Sequence, residues 1–387
     1  MSNTLIPESQ PYLIVVHCVD TEGPLGGNAR RNPDGSKEFF DNWNDIKFSL
    51  NEITSNDFRK THSDSLGNPY VYNWFIMDFT GFKTNPKNRV AQYHDTLDQI
   101  KSLQTDQDGF YWHYHLPPAN GVGDQWSDTW LSSNECNNIL ARRLIQRHSF
   151  PEAFRAGGTI EDNPASHWLE HAVLLDYSNR VSERSYPDAD LFRFNWYGAP
   201  NHWGSYNPNH KNFLEKGQMK RAIYRCIDLK SRYNDLTQSH LDECFETIKQ
   251  TKQNLVLSYF SHDNRDMRDE TYDSYSLIRK ASEKHQIPWV ISKADEAHRL
   301  YHNLDNEIID VQIESSDNAI HISTDKKPFQ STPFIAIESQ NEEIYRVYAE
   351  KNSTNNWTLK IKPDSIKTLG IAVTSMSGNN TLLVKDL

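Results

Sequence analysis

Cysteine is scarce and scattered. Cys18, Cys136, Cys226 and Cys244 are the only four in 387 residues, and no two form a Cys-x-x-Cys pair. That spacing excludes a zinc knuckle and a thioredoxin-like redox motif, and it fits free thiols in a reducing compartment. Long apolar runs are missing as well: none approaches the roughly 20 residues that a membrane span needs. The opening MSNTLIPESQPYL has neither a basic start nor an apolar core, so it does not read as a signal peptide. The expected location is therefore the cytoplasm, where sequons such as Asn352-Ser353-Thr354 are incidental. Basic runs are also lacking. With 41 Lys and Arg against 52 Asp and Glu the net charge is −11, which argues against a nucleic acid as partner. The acidity itself reads as solubility.

Aromatic surface is plentiful. Hydrophobic residues make up 36% of the chain and aromatics 12%, with ten Trp and eighteen Tyr. That is enough for a packed core, with rings left over either for that core or for the walls of a sugar-binding cleft.

Short apolar runs at 12–19, 70–79, 109–115, 153–156, 223–229, 255–260 and 289–292 read as strands. Helix-like stretches fall between them. One covers 90–103. A second is SSNECNNILARRLIQRH, with Ser132 or Ser133 as N-cap and Glu135 in the first turn. A third is SHLDECFETIKQTK, with Ser239 as cap and Glu243 near its start. A fourth is SYSLIRKASEKH, stopped by Pro288. Strands alternating with helices predict a parallel sheet, and about seven such units favour an α/β barrel. After residue 303 the pattern changes to short, partly alternating runs such as PFIAIES, YRVYAEK and LGIAVTS, with no helical period. The expected organisation is a barrel over 1–303 and a small β-sandwich-like appendage over 304–387. The appendage reads as packing on the barrel or as an oligomer contact, which leaves a homo-oligomer open; a carbohydrate-binding role is the alternative.

Active residues of parallel α/β folds collect at the C-terminal ends of the strands. Four groups stand there. Asp20 and Glu22 end LIVVHCVDTEGP; His113 and His115 lie in WHYHLPP; Arg155 lies in AFRAGG; His262 and Asp263 lie in VLSYFSHDNRD. Residues two apart in a strand face the same way, so the acid pair and the histidine pair each aim in one direction. One carboxylate with two imidazoles is a catalytic zinc set that leaves a position for water. Each group has a plainer reading: a helix-capping acid, structural histidines, a salt-bridging arginine, a polar loop. Their joint position at four strand ends favours the chemical reading.

In order and type, these residues resemble the polysaccharide deacetylase (NodB-homology, carbohydrate esterase family 4) superfamily. VDTEGP is similar to its Phe-Asp-Asp-Gly-Pro motif, HYH to its histidine motif, FRAGG to its arginine motif and YFSH to its Leu-x-His motif. LLDYSNRVSERS is similar to its strand leading to a Tyr-Asp-Ser-Ser run. The resemblance covers about 10–300. It implies a distorted (β/α)7-type barrel and a zinc or other divalent ion held by one acid and two histidines. It also implies hydrolysis of an acylated amino sugar. By that resemblance Glu22, His113 and His115 hold the metal, and Asp20 is the catalytic base. Arg155 orients and charges that base. His262 is expected to protonate the leaving amine, since an imidazole titrates near neutral pH, and the adjacent Asp263 to orient or charge that imidazole. This chain departs from the family in three ways. Thr21 splits the acid pair, which leaves open whether Asp20 or Glu22 is the ligand. His-x-His replaces His-Ser-x-x-His. RFNWYGAPNHWGSYN stands where an Asp-x-x-Asp-Trp motif is expected. In that segment Trp196, His202 and Trp203, flanked by Gly, Asn and Pro, are read as a substrate wall; Trp74 is read as packing.

The expected function is removal of an N-acetyl or N-formyl group from a nucleotide-, lipid- or glycan-linked amino sugar, in the making of a surface polysaccharide or lipopolysaccharide such as O-antigen. The alternatives are a catalytically inactive glycan-binding protein and a glycoside hydrolase on a similar barrel. The last needs two carboxylates flanking the bond, and Asp20 and Glu22 share one strand.

Overall fold

The computed structural model describes residues 4–7, 10–24, 39–40, 42–78, 94–115, 134–181, 196–229 and 235–387. The expected caps at 132 and 133 and residues 90–93 of the first expected helix lie outside them.

Seven parallel strands close into a barrel. They are β1 (Leu13–Thr21), β2 (Asn73–Met77), β3 (Gly109–Tyr114), β4 (Ala153–Ala156), β5 (Leu175–Asn179), β7 (Ala222–Asp228) and β8 (Leu255–His262), with β8 and β2 both paired to β1. The short β6 (Ser205–Tyr206) runs antiparallel to β7. Another short strand, β9 (Trp289–Ile291), shares an edge of β1 with β2. It pairs with Leu13, Ile14 and Val15, while β2 pairs with Cys18 to Thr21 higher up. The barrel is thus wedged open at its lower end and closed at its upper end. Every residue of β1, β2 and β4 is buried, as expected of parallel strands covered on both faces.

Helices cover the outside. α1 (Trp43–Thr54) and α2 (Asn56–Thr61) follow β1, α3 (Asp95–Lys101) follows β2, α4 (Glu135–Arg147) follows β3 and α5 (Asn163–Leu169) follows β4. Among the described residues no helix separates β5 from β7. α6 (Gln238–Thr251) and α7 (Met267–His285) flank β8, and α8 (Ala294–His302) follows β9. α4 buries Cys136, Ile139, Leu140, Arg143 and Leu144, a stripe at helical spacing. Two details correct the sequence reading. The cap of α6 is Thr237, which forms a capping box with His240, and not Ser239. α7 begins much earlier than SYSLIRKASEKH suggests, because Asp266 accepts from the Arg268 N–H and caps it there.

Beyond α8 all strands are antiparallel. β10 (Val311–Ser316), β11 (Ala319–Thr324), β14 (Glu350–Lys351) and β15 (Asn356–Leu359) form one sheet. β12 (Phe334–Ser339), β13 (Ile344–Val347), β16 (Ile366–Thr374) and β17 (Asn380–Asp386) form the other. Ile320, Ile322 and Trp357 of the first share a core with Ile335, Ile337 and Ile371 of the second. The outer side of the second sheet, through Phe334, Ala336 and Ala372, joins the cluster around α4. Gly370 permits that approach: a Cβ there would lie 2.8 Å from Leu144 Cγ. No helix of the described residues is long and apolar enough to cross a membrane.

Candidate metal centre

Alternation along the strands decides what faces the barrel interior. Ile14, Val16 and Cys18 of β1 join Phe75, Tyr111, Tyr177, Tyr224 and Phe260 in the inner cluster. Their neighbours Leu13, Val15 and Val19 join the outer layer with the helices. Continuing the inner parity upward brings Asp20 and Glu22 from β1, His113 and His115 from β3, Arg155 from β4 and His262 from β8 to the same end of the barrel. The register agrees, with Asp20 opposite His262 and His113 opposite Arg155.

Three of these side chains converge. His113 Nε2 is 3.0 Å from His115 Nε2, and Glu22 Oε1 lies 3.3 Å from His115 Nε2 and 3.6 Å from His113 Nε2. Donors bound to a tetrahedral zinc at about 2.0–2.2 Å stand roughly 3.4 Å apart, and the three distances bracket that value. Among the described residues this is the one group of three His, Cys, Asp or Glu donors close enough to hold a metal ion. His113 Nδ1 lies 3.1 Å from the Arg155 carbonyl oxygen, to which only a protonated Nδ1 can donate. Its Nε2 lone pair is then free for a cation. A single proton on His115 Nε2, shared between His113 and Glu22, would satisfy the same spacing, so metal analysis separates the two. Of the two acids, Glu22 is the one that stands at ligand spacing from both imidazoles. Burial alone would raise its carboxyl, but hydrogen bonds from His113 and His115 outweigh burial and hold it well below the usual range.

Asp20 is engaged elsewhere. Arg155 Nε donates to its Oδ1 at 2.6 Å and Nη2 to its Oδ2 at 3.1 Å; a third donation goes to the Tyr177 carbonyl. Arg155 is fully buried, with its guanidinium 3.9 Å above the Phe260 ring centroid. Burial pushes the Asp20 carboxyl up, yet Arg155, then His113 and His262, lower it below its ordinary value. Asp20 is therefore an ionised carboxylate beside the donor set: its Oδ1 is 3.7 Å from His113 Nδ1 and its Oδ2 is 4.0 Å from His262 Nε2.

His262 stands at the rim with 30% of its side-chain surface open. Packing on its other side, followed by the nearby Arg265 cation, pushes the imidazole down to about 4, so the ring is neutral near pH 7. Asp263 is fully buried, and its carboxylate accepts from the Glu22 N–H at 2.8 Å and from the Gly23 N–H at 3.0 and 3.1 Å. Asn264 Nδ2 lies 3.5 Å from Glu22 Oε2. Neither Asn264 nor Gly157 stood out in the sequence. A Cβ on Gly157 would lie 2.3 Å from His115 Cγ and 2.4 Å from Cδ2, so only glycine lets that imidazole sit where it does. The arginine motif thus supplies both the partner of Asp20 and the floor beneath His115.

The three residues read as a substrate wall are placed differently. Trp196 is buried at 1% exposure, donates from Nε1 to the Thr159 carbonyl and packs edge-on against Phe213. Trp203 is buried at 3%, with the Arg225 guanidinium 3.9 Å over its ring. His202 is half-buried and hydrogen bonds the Ser205 carbonyl. In this structure both indoles are packed into the wall of the barrel and offer no open ring face. Trp74, fully buried with Nε1 on Asp108, is packing as expected. Sequence reading also missed a second buried ion pair at the strand ends. Arg180, just after β5, donates from Nε to Asp228 of β7 at 2.6 Å. Such pairs join residues far apart in the chain, and nothing local signals them.

No family model matches this chain, and no curated protein matches it.

Proposed function

We propose that this protein is a metal-dependent hydrolase that removes the acyl group from an acylated amino sugar. In this reading it has the distorted (β/α)7-type barrel of the polysaccharide deacetylase superfamily and zinc as its ion. The observation that carries the proposal is the meeting of Glu22, His113 and His115 at ligand spacing, with the ion-paired Asp20 against one side of the set and His262 at the open rim.

The bound ion would polarise the amide carbonyl and lower the pKa of water. Glu22, His113 and His115 would hold it. Asp20, kept ionised by Arg155, accepts a proton as water adds to the amide carbon. His262, neutral with its proton on Nε2, hands that proton to the departing nitrogen, and Asp20, whose Oδ2 is 4.0 Å from the same Nε2, returns to it the proton taken from water. The carbon–nitrogen bond breaks, the amine leaves with that proton, and acetate or formate remains. Arg155 takes no part in proton transfer. It keeps Asp20 charged and fixed, with its own cation lying over the Phe260 ring.

A cytoplasmic location makes the substrate a precursor, nucleotide- or lipid-linked, of a surface polysaccharide or O-antigen. The test is acetate and formate release from a panel of N-acyl amino sugars by zinc-loaded protein. Release that disappears in His113→Ala supports the proposal. Zinc-loaded protein that binds amino sugars but releases neither acid from any of them marks a glycan-binding protein instead.

A further inference from the structure

We propose that Asp263 and Asn264 are positioning residues for Glu22: together they hold its main chain in place and select which of its carboxylate oxygens faces the two imidazoles. The inference rests on the reading of Glu22, His113 and His115 as the metal centre, and it gives the segment after β8 a task other than tuning His262.

The difficulty lies in the chain itself. Glu22 follows the last residue of β1, so the strand ladder that fixes Asp20 does not reach it, and the backbone turns immediately afterwards at Gly23, with φ of 70°. A ligand on so short an extension needs support from outside its own strand. Asp263 supplies it. Its carboxylate, fully buried, draws in two successive N–H groups, Glu22 at 2.8 Å and Gly23 at 3.0 and 3.1 Å. Consecutive backbone N–H groups converging on one anion form a stiff, charge-assisted cradle. The Asp263 N–H lies 3.4 Å from the Asp20 carbonyl, which ties the supporting segment to the end of β1.

Asn264 acts one atom further out. It is buried at 1% exposure, and its main-chain carbonyl accepts from the Phe40 N–H at 2.7 Å, which anchors the residue. Its Nδ2 faces Glu22 Oε2 at 3.5 Å, and Oε1 is left to face His115 and His113. The amide orientation is fixed by chemistry, because the opposite flip would set an oxygen lone pair against a carboxylate. Metal-ligating carboxylates are held by such outer hydrogen bonds as a rule.

The atom of His262 that a charging carboxylate would need is occupied from elsewhere. His262 Nδ1 lies 3.4 Å from Arg265 Nη2, and a guanidinium only donates. His262 thus presents Nε2, with its proton, toward Asp20. The partner of that ring is Arg265, and Asp263 works on the Glu22 side.

The experiment measures zinc affinity by competition with a chromophoric chelator, with the full-length protein and its Asp263→Asn and Asn264→Ala variants, and records the pH profile of turnover alongside. Far-UV circular dichroism of the metal-free forms reports folding. The expected result is zinc affinity weaker by about 10–100-fold in Asp263→Asn and by a smaller factor in Asn264→Ala. Turnover lost at low free zinc should recover in part as zinc is raised, and the pH profile should stay in place. If Asp263→Asn does not fold, Asn264→Ala, which removes only a terminal amide, decides. Wild-type zinc affinity in the folded variants, with a displaced pH profile in Asp263→Asn, overturns the inference and returns Asp263 to His262. Wild-type protein that binds no zinc overturns the metal reading and this inference with it.

Discussion

Gly157→Ala is the smallest change that should disable the centre without touching a ligand. The added Cβ would lie 2.3 Å from His115 Cγ, 2.4 Å from Cδ2 and 2.7 Å from Cα, whereas ordinary contact begins at 3.4 Å. Because the third of these atoms is backbone, a rotamer change alone does not relieve the clash. The ring and its main chain must retreat by about 1 Å. His115 Nε2 now sits 3.0 Å from His113 and 3.3 Å from Glu22, so such a retreat takes it out of the ligand triangle. Overpacking of this kind costs about 1–3 kcal/mol, and loss of a ligand's support lowers metal affinity by about 10–100-fold. Thermal melts of metal-free protein measure the first quantity, and zinc competition measures the second. A Gly157→Ala protein that binds zinc as tightly as wild type would show that His115 is not a ligand in the position described.

Other outcomes follow from the same geometry. Arg155→Met strands the buried Asp20 carboxylate and should cost about 3–5 kcal/mol in urea unfolding; adding Asp20→Asn should recover part of the stability but no activity. Near-wild-type stability in the single variant would contradict the ion pair. His262→Ala should lower turnover by about a hundredfold or more while leaving zinc content intact, as read by steady-state kinetics with elemental analysis. Acid should destabilise the fold through His17, buried between Tyr70 and Ser261, whose imidazole is pushed down by burial to about 3 from 6.5. Between those values the unfolded chain binds a proton that the folded chain refuses. Its contribution is therefore complete above about pH 6.5 and falls by about 1.4 kcal/mol per pH unit below it. Urea titrations from pH 7 to 4.5 should show a shallower decline in His17→Gln than in wild type, and equal slopes would refute the assignment.

Much of the donor set was legible because it is local. Asp20 with Glu22, and His113 with His115, announce a shared direction through spacing alone, and the apolar runs around them mark the strands. The choice between Asp20 and Glu22 was not legible. It depends on Arg155, 135 positions away from Asp20, occupying one acid and leaving the other to the imidazoles. Trp196 and Trp203 misled for a related reason. Gly, Asn and Pro around an indole suggest an exposed loop, but Thr159, Phe213 and Arg225 arrive from elsewhere and bury the rings. The wedge made by β9 was half legible. Its apolar run is plain, but its sharing of an edge of β1 with β2 is a long-range pairing. Helices α1, α2, α5 and α8 escaped notice because they are short or mostly polar and gain their stability from the barrel surface they cover.

The most direct test is elemental analysis of the purified wild-type protein beside Glu22→Ala and His113→Ala. About one zinc, or another divalent ion, per wild-type chain and a metal-poor pair of variants that release no acyl group is the expected result. Wild-type protein without bound metal that still cleaves its substrate, or a His113→Ala variant that keeps both ion and activity, would contradict it.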